Sequence, residues 1–415
     1  MNQPATRPWV WELPNWPTFT WDSTALQGHV SHFITDTAWQ SGALAFLVGD
    51  DFADAHLDWL ADEALETSAI EGESLQRDPI RASLLHFFGL RPTVHAPAAE
   101  LGVAKLMASV YQTFNEPLSH EMLWHWHLTL MSGSPAIREL GRYRAGPEPA
   151  QIVTVRRGSM QSATLNYVAP SGTRVADEME VFVDWYNSVT QSASEADALA
   201  IAGAAHVYFE CVHPFEDGNG RIGRALAEKA VAQCLGRPSL IPLSQTIHAK
   251  RGAYYRALES CRHSLDANTW QTWFAGTVLG ALAQARLRLI RHAAQARLFG
   301  ALEGKLNRRQ STGLQRAFQE EPRGFEGGLS AGNYQTITGA SSATATRDLG
   351  QLVALKAVRR TGSGRHTRYW LNAPELDIVR SNPDEPAAAR PKGPRPQRRG
   401  KLALPPPHVL VRPEN

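Results

Sequence analysis

The stretch HPFEDGNGRIGR, residues 213–224, joins two predicted helices near the centre of this 415-residue chain. The helix that ends in AHVYFECV must stop at His213, because the residue before a proline is pushed out of the helical region. Gly218 and Gly220 let the backbone fold tightly with its N–H groups converging, and the next helix begins at Arg221. Such a nest at a helix N-terminus is typical of a phosphate-binding site.

Two arginines lie in the first turn of that second helix. Arg221 and Arg224 are three residues apart and share a face, at the end of the helix where the dipole disfavours cations. A bound polyphosphate would relieve this penalty, because arginine holds phosphate oxygens through forked N–H pairs. Asp217 supplies a hard oxygen ligand for Mg²⁺, and His213 can accept a proton from an attacking hydroxyl at neutral pH. The alternative is an ordinary glycine-rich turn with a surface histidine. It would not explain why a base, a metal ligand, a nest and two arginines occur within one short loop.

Composition restricts the class of protein. With 42 basic and 40 acidic residues the net charge is +2, so nucleic-acid binding does not follow from the overall charge. The 3 cysteines form no C-x-x-C pair, which favours buried thiols in a reducing compartment. No stretch approaches the ~18 consecutive apolar residues of a membrane span, and the N-terminus lacks the apolar segment of a signal peptide. We therefore expect a soluble cytoplasmic protein that does not enter a membrane.

The spacing of apolar residues predicts a mainly α-helical chain. Residues 1–92 are expected to form a helical N-terminal domain in which clustered tryptophans pack onto a neighbouring surface. Residues 93–292 show the three- and four-residue apolar spacing of helices, interrupted by a short β-hairpin over 151–168. Residues 305–373 follow the order of a winged helix-turn-helix, and 374–415 is predicted to be a disordered tail rich in proline and arginine.

The loop resembles a known family. HPFEDGNGRIGR agrees at every specified position with the Fic-family signature H-P-F-x-[DE]-G-N-[GK]-R-x-x-R. The resemblance covers roughly Pro97–Ala275, including GRYR at 141–144 and AKRGAYYRALE at 249–259. It implies an all-helical Fic domain that transfers AMP from ATP to a Tyr, Ser or Thr hydroxyl of a target protein and of itself.

The same resemblance implies roles for individual residues. His213 would take the proton of the target hydroxyl, Asp217 would hold Mg²⁺, and Arg224 would meet the γ-phosphate of ATP. Arg221 would assist the departing pyrophosphate, while the glycine-rich backbone would cradle the α- and β-phosphates. The implied nucleotide-binding positions are Asp217, Gly218, Asn219, Gly220, Arg221, Ile222, Gly223, Arg224, and Tyr254 or Tyr255 beside the adenine. The hairpin resembles the family's target-docking flap, formed here by Ile152, Val153, Thr154 and Val155.

An upstream segment, TSAIEGE at 67–73, adds a regulatory hypothesis. Thr67 and Glu71 are four residues apart on one helical face, and Gly72 would end that helix. Taken alone, a glutamate near a helix end is usually solvated. The segment resembles the family's inhibitory motif [ST]-x-x-x-E-[GN], which implies that Glu71 pairs with Arg224 and blocks the γ-phosphate. In some members of the family this glutamate also supports removal of AMP. Members whose inhibitory motif lies in an additional helix often form homodimers.

Two other functions stay open. The C-terminal module would make the chain a DNA-binding regulator, although it could instead recruit targets or mediate dimers. Its candidate base and phosphate contacts are Thr344, Thr346, Arg347 and Gln351 in the second helix, and Arg359, Arg360, Arg365 and Arg368 in the wing. Alternatively, a Fic relative could transfer another nucleotide or phosphate group. Gly220 favours adenylylation, because the variant that transfers the γ-phosphate carries lysine there.

Two further motifs suggest a zinc site and a cysteine nucleophile, but both have simpler structural explanations. HEMLWHWH, residues 120–127, holds three histidines without the HExxH spacing of a metalloprotease, so we predict an ordinary core or surface helix. Cys211 lies two residues before His213, but its helical position would bury it. We therefore predict neither a zinc site nor a cysteine nucleophile.

Overall fold

The computed structural model describes residues 7–45, 50–91, 95–155, 163–319, 328–376 and 409–413. The chain divides into two compact units. The first contains Met1–Ala38, His56–Leu282 and Ala388–Asn415, and the second contains Trp39–Ala55 and Ala283–Ala387. Among the described residues, no helix is both long enough and apolar enough to cross a membrane.

Helices form most of the first unit, and the divisions between the units fall inside α1, α2 and α11. The helices are α1 (Ser23–Ala45), α2 (Asp50–Ile70), α3 (Arg77–Phe87), α4 (Ala98–Gln112), α5 (His120–Met131), α6 (Gly172–Gln191), α7 (Ala198–Val212), α8 (Asn219–Leu235), α9 (Leu243–Ala249), α10 (Arg251–Glu259) and α11 (Asn268–Ala301). Helix α7 is apolar around its whole circumference, and all but two of its 15 residues are buried. It packs against α8, so the loop between these two helices joins the central pair of the unit.

The predicted hairpin lies between α5 and α6. Strand β1 (Pro149–Val155) pairs with β2 (Ala163–Ser171) in antiparallel register, with Gln151 opposite Val168. The hydroxyl of Tyr167 in β2 donates to the Cys211 carbonyl at 2.7 Å, which attaches the hairpin to the end of α7. The hairpin was expected from the β-branched residues of both strands, and its turn lies outside the described residues.

The N-terminal tryptophans pack as predicted, but the boundary expected at residue 92 does not separate two cores. Trp9 stacks on His263 with ring centroids 4.4 Å apart. A single hydrophobic core contains Phe33 from the first expected domain and Phe209 from the second. Apolar spacing shows which face of a helix is buried without showing its partner, and for this reason the two segments looked independent in the sequence.

The second unit has its own core and the element order expected for residues 305–373. Its elements are α12 (Arg308–Gln319), α13 (Ala331–Thr338), α14 (Ser342–Ala354), β3 (Val358–Thr361) and β4 (Arg368–Leu371). Gly339, with φ 67°, ends α13, and Ser341 caps α14. Phe318 and Leu349 lie in a core distinct from that of the first unit. The glycine-rich turn before β4 belongs to a hairpin, as predicted.

Two boundaries differ from the expected ones. Helix α11 is continuous, so the division falls at Ala283 inside it and not after residue 292. Leu376 is buried in the second core, and Val409–Pro413 form β5, which pairs in parallel with β1. The tail expected to be disordered over 374–415 therefore contains ordered residues at these two points. The rest of it lies outside the described residues.

Candidate active site

His213 follows α7 directly and has a left-handed backbone, with φ 52° and ψ 60°. Its N–H donates to the Phe209 carbonyl at 2.9 Å, which closes the last turn of the helix. The helix therefore ends where Pro214 predicted. Left-handed backbone costs a residue other than glycine about 1 kcal/mol, so the surroundings must hold His213 in place. The residue is 6% exposed.

Arg144 holds the backbone on both sides of His213. Its Nε donates to the His213 carbonyl at 2.7 Å, and its Nη2 donates to the Val212 carbonyl at 3.1 Å. Its own N–H donates to the Pro214 carbonyl at 2.9 Å. Burial lowers the pKa of Arg144 to about 10, so the side chain stays charged at neutral pH. A cation is favourable here, because these carbonyls lie at the negative end of α7.

Phe215 and Asn219 fix the middle of the loop. Phe215 is fully buried and stacks on the His127 ring, with centroids 4.2 Å apart and planes 10° apart. Burial lowers the pKa of His127 to about 4, which keeps this ring neutral. The Asn219 amide donates to the Phe215 carbonyl at 2.8 Å, and its Oδ1 accepts the Phe215 N–H at 2.9 Å. The Asn219 side chain thus shapes the loop, which leaves only its backbone for a phosphate.

The predicted nest lies at the start of α8. Gly218 has φ 81°, and α8 begins at Asn219, two residues earlier than expected. A Cβ on Gly220 would overlap Glu71 Oε1, so the Glu71 carboxylate rests directly against this glycine. An anion therefore occupies the edge of the nest, and it belongs to the chain itself.

Ile222 and Gly223 serve the packing of α8. Ile222 is fully buried in the core. A Cβ on Gly223 would lie 3.2 Å from His206 Nδ1 and 3.1 Å from Glu210 Oε1, so glycine lets α7 and α8 approach closely here. Both residues were expected in the nucleotide site, and their structural surroundings are those of the helix interface.

Arg224 is 1% exposed and is held by the end of α2. Its Nε donates to Thr67 Oγ1 at 2.7 Å, and its Nη2 donates to the Thr67 carbonyl at 2.9 Å. The same Nη2 lies 3.0 Å from Glu71 Oε1. Burial favours the neutral form of Arg224, but its interactions with Glu71 and with more weakly coupled neighbours such as Glu210 together outweigh burial and raise its pKa. The pairing of Glu71 with Arg224 expected from the inhibitory motif is present in the structure.

Arg221 has a partner that the sequence did not reveal. Its Nη1 lies 2.7 Å from Glu73 Oε2, and the Arg221 side chain is 3% exposed. Arg221 Nε and Arg224 Nη1 are buried donors with no hydrogen-bond partner in the described part of the chain. Arg224 Nη1 would lie 3.2 Å from a Cβ on Gly220. Unsatisfied donors at a helix N-terminus are well placed to bind an anion.

Asp217 remains accessible beside the nest. Its side chain is 61% exposed, and its Oδ1 accepts the Gly218 N–H at 2.6 Å. No group of three or more His, Cys, Asp or Glu residues in the described ranges could hold a metal ion. Mg²⁺ commonly uses one or two carboxylates together with substrate phosphate oxygens and water. Asp217 fits that requirement, because it offers one carboxylate next to a phosphate nest.

The two candidate tyrosines occupy different surroundings. Tyr254 is 1% exposed, its hydroxyl hydrogen-bonds His206 Nε2 at 2.9 Å, and burial raises its pKa. Its ring therefore lies in the core. Tyr255 is half-buried, and its hydroxyl donates to the Ile70 carbonyl at 3.4 Å, at the end of α2. Of the two, Tyr255 is the more exposed.

The flap residues also differ in what they can offer a target. Ile152 and Val153 are buried, at 2% and 6% exposure, and Ile152 belongs to the core of the first unit. The side chains of Thr154 and Val155 lie outside the described residues. Strand β5 pairs with the edge of β1 that faces away from β2.

The histidines of α5 and the cysteines serve structure. His120 Nε2 lies 3.0 Å from Glu180 Oε2, while His127 stacks on Phe215 as described above. Cys211, Cys234 and Cys261 are buried free thiols, as the sequence predicted. Burial raises the pKa of the Cys211 thiol well above its usual range, so it stays protonated and is a poor nucleophile.

Comparison with known families identifies two segments. Residues 117–231 match the Fic/DOC family. Residues 9–90 match a domain of unknown function, DUF4172. The first match contains the whole 213–224 loop, and the second contains Glu71 and Glu73.

Curated relatives and a solved structure agree with this assignment. Protein adenylyltransferase fic-1 of Caenorhabditis briggsae is 28% identical over 117 residues, which cover 28% of this chain and 21% of the relative. Protein adenylyltransferase Fic of Drosophila willistoni is 33% identical over 93 residues, which cover 22% of this chain and 17% of the relative. The chain thus matches about a fifth of each relative. A Fic family protein from Desulfovibrio desulfuricans G20 shares the fold, with a TM-score of 0.51, 20% identity, and coverage of 86% of this chain and 98% of that one.

Proposed function

We propose that this protein, whose residues 117–231 form a Fic domain, transfers AMP from ATP to a hydroxyl side chain of a target protein and of itself. The relatives named protein adenylyltransferases support this activity. The observation that carries the proposal is the pair of buried guanidinium groups of Arg221 and Arg224 at the start of α8, each with an unsatisfied N–H. A polyphosphate fits such donors.

In the proposed reaction the target hydroxyl oxygen attacks the α-phosphorus of ATP, and the bond from that phosphorus to the bridging oxygen breaks. His213 takes the hydroxyl proton, and pyrophosphate leaves with the bonding electron pair. Arg221, Arg224 and the first N–H groups of α8 meet the charge that builds on the pyrophosphate. Arg144 and Phe215 hold the loop, so that His213 does not have to be ordered during the reaction.

Asp217 is the residue that would hold Mg²⁺ in this site. When bound, the ion would neutralise part of the phosphate charge. This assignment rests on the exposed carboxylate beside the nest. The remaining ligands would come from the nucleotide and from water.

Glu71 is proposed to inhibit the transfer. Its carboxylate lies 3.0 Å from Arg224 and against Gly220, so the γ-phosphate of ATP would find both positions taken. The same position would let Glu71 orient a water molecule toward an AMP-modified hydroxyl, which makes removal of AMP a second reaction of this site. Loss of label from pre-labelled protein after ATP is withdrawn measures that reaction, and Glu71→Gly is expected to abolish it.

The identity of the transferred group tests the proposal. Wild-type protein, Glu71→Gly and Glu71→Gly/His213→Ala are incubated with Mg²⁺ and ATP labelled at either the α- or the γ-phosphate. We expect only the α-label to become attached to the protein. Attachment of the γ-label would instead identify a relative that transfers phosphate. Absence of both labels in all three proteins would refute the enzyme proposal.

A second candidate function, DNA binding by the second unit, is supported by its charge distribution. Between residues 330 and 373 the chain has six basic residues and a single acidic one, Asp348. Asp348 is 2% exposed and paired with Arg309 at 2.9 Å, so it does not offset the basic surface. The basic residues are Arg347 in α14, Lys356 after it, and Arg359, Arg360, Arg365 and Arg368 in the hairpin, with all but Arg368 exposed.

The salt dependence of duplex binding tests this function. If the wing contacts phosphates, the logarithm of the binding constant falls linearly with the logarithm of the salt concentration. Arg359→Ala/Arg360→Ala should lower that slope by about two, one for each phosphate that is no longer neutralised. Binding that does not depend on salt, or that the double substitution leaves unchanged, would refute DNA binding through the wing.

A further inference from the structure

We infer that Glu73 is a second inhibitory carboxylate, which occupies Arg221 while Glu71 occupies Arg224. The inference rests on the proposed function, because it concerns the two arginines assigned to the pyrophosphate. It extends the inhibitory contact from one residue to the whole Glu71-Gly72-Glu73 turn. Both arginines would then be neutralised by neighbouring residues of a single segment.

The turn places both carboxylates over the start of α8. Helix α2 ends at Ile70, and Gly72 has φ 85°, a backbone conformation that glycine adopts without strain. The N–H groups of Glu71 and Glu73 both donate to the Ser68 carbonyl at 3.1 Å, so the turn folds back on the helix end. In a helix, residues two apart do not share a face, so the turn is what brings both carboxylates to the two arginines.

The contact between Glu73 and Arg221 is as close as that expected of a charged hydrogen bond. Glu73 Oε2 lies 2.7 Å from Arg221 Nη1, and the Arg221 side chain is 3% exposed while that of Glu73 is 35% exposed. A buried guanidinium binds an anion strongly, because little water competes for it. The partly exposed Glu73 can leave this position for water at lower cost than a buried group could.

The other groups around Arg221 do not replace Glu73. Asp217 Oδ1 lies 3.9 Å from Arg221 Nη2, beyond hydrogen-bond distance, and Met131 Sδ accepts weakly from the same nitrogen at 3.4 Å. Glu73 is therefore the principal anion on Arg221. A pyrophosphate group that binds Arg221 must displace Glu73, just as the γ-phosphate must displace Glu71 from Arg224.

A glutamine at position 73 distinguishes two roles for Glu73: inhibition of AMP transfer, or a purely structural contact that holds Arg221. Glu73→Gln keeps the volume and one acceptor for Arg221 but removes the charge, so the turn should still fold. We measure α-label self-transfer and the affinity for Mg²⁺-ATP in the wild-type and Glu71→Gly backgrounds. Glu259→Gln is the matched control, because Glu259 is an exposed glutamate at the end of α10.

We expect Glu73→Gln to raise self-transfer in both backgrounds by about three- to tenfold, the range of a half-exposed charged hydrogen bond. The affinity for Mg²⁺-ATP should rise with it, while Glu259→Gln changes neither. Unchanged or slower transfer in an active Glu71→Gly background would show that Glu73 only anchors Arg221, which overturns the inference. If Glu71→Gly itself transfers no label, the proposed function fails instead.

Discussion

Arg144 buries a positive charge against backbone carbonyls. Its hydrogen-bond partners in the described part of the chain are the carbonyls of Val212 and His213, and the side chain is 7% exposed. A buried charge needs such partners, and each hydrogen bond to a charged group contributes about 1.5–3 kcal/mol. Since His213 has a left-handed backbone, these bonds hold this residue, the proposed base, in a conformation that it would otherwise leave.

Removing the Arg144 guanidinium should slow the reaction without weakening nucleotide binding. We expect Arg144→Met in the Glu71→Gly background to lower kcat about tenfold or more, because His213 loses its fixed position. KM for ATP should change little, since Arg144 does not contact the nest. Steady-state kinetics of α-label transfer measure both quantities.

Two further variants help to interpret the kinetics of Arg144→Met. Arg142→Met is the matched control, because Arg142 belongs to the same GRYR segment and its side chain is exposed. Arg144→Lys should restore part of kcat, since lysine supplies a charge but not the forked donors. A kcat for Arg144→Met equal to that of Arg142→Met would show that Arg144 has no positioning role.

At the scale of elements, α2 is attached to the helices around the site by several polar contacts. Glu63 Oε1 accepts the Ser244 N–H at 2.6 Å, and Glu66 Oε2 lies 2.5 Å from His248 Nδ1. Glu63 also interacts with Glu228 of α8, and burial raises the pKa of both carboxyl groups. One of the contacts between α2 and α8 is thus a buried carboxyl pair whose raised pKa values favour a shared proton.

The carboxyl pair of Glu63 and Glu228 predicts that the stability of the folded protein depends on pH. Both folded-state pKa values lie above the ordinary glutamate value, so the stabilisation is fully present below that value, ~4.3, and is lost as pH rises through the raised pKa values. We expect Glu228→Gln to reduce the loss of thermal stability between about pH 5 and pH 8, because glutamine cannot ionise. Arg224, the nearby cation, is present in both proteins.

Thermal unfolding at a series of pH values measures the difference. Glu259→Gln is again the control, since it removes an exposed carboxyl group. The same pH-dependent loss in wild type and Glu228→Gln would contradict a shared proton at the contact between α2 and α8.

At the scale of the whole molecule, the residues proposed to transfer AMP and the C-terminal module lie in units with separate hydrophobic cores. The core of the first unit includes Phe209, Phe215 and Leu226, whereas Leu349 and Phe318 belong to the core of the second. The groups proposed to act on ATP all lie in the first unit. Destabilising the second core should therefore leave the chemistry of the first unit intact.

Leu349→Ala tests this separation. Leu349 is fully buried, and truncating a buried leucine costs about 2–5 kcal/mol of folding free energy. We expect an earlier unfolding transition for the second unit, measured by calorimetry, with α-label transfer by Glu71→Gly unchanged within roughly twofold. A loss of transfer in step with the loss of stability would show that the two functions depend on one cooperative structure.

The parts of the site that could be predicted are those that the local sequence determines. Pro214 ends α7, and the glycines shape the nest within a few residues, so the loop was predicted from its own residues. The contact of Glu71 with Arg224 was predicted from the motif at 67–73. Arg221 and Glu73 are 148 positions apart, and Arg144 is 69 positions from His213, so chain folding alone brings these pairs together. The shared core of the two expected domains escaped prediction for the same reason.

The central claim is that the protein transfers AMP and that Glu71 inhibits the transfer. The most direct test is the initial rate of α-label self-transfer by wild type, Glu71→Gly and Glu71→Gly/His213→Ala. The three proteins are compared at equal protein and Mg²⁺-ATP concentrations. We predict that Glu71→Gly is faster than wild type by about tenfold or more, the worth of one charged hydrogen bond to Arg224. Adding His213→Ala should then lower the rate by about 100-fold or more, because the general base is lost. A Glu71→Gly rate no higher than that of wild type would contradict inhibition by Glu71. An equal rate in Glu71→Gly/His213→Ala would contradict AMP transfer that depends on His213.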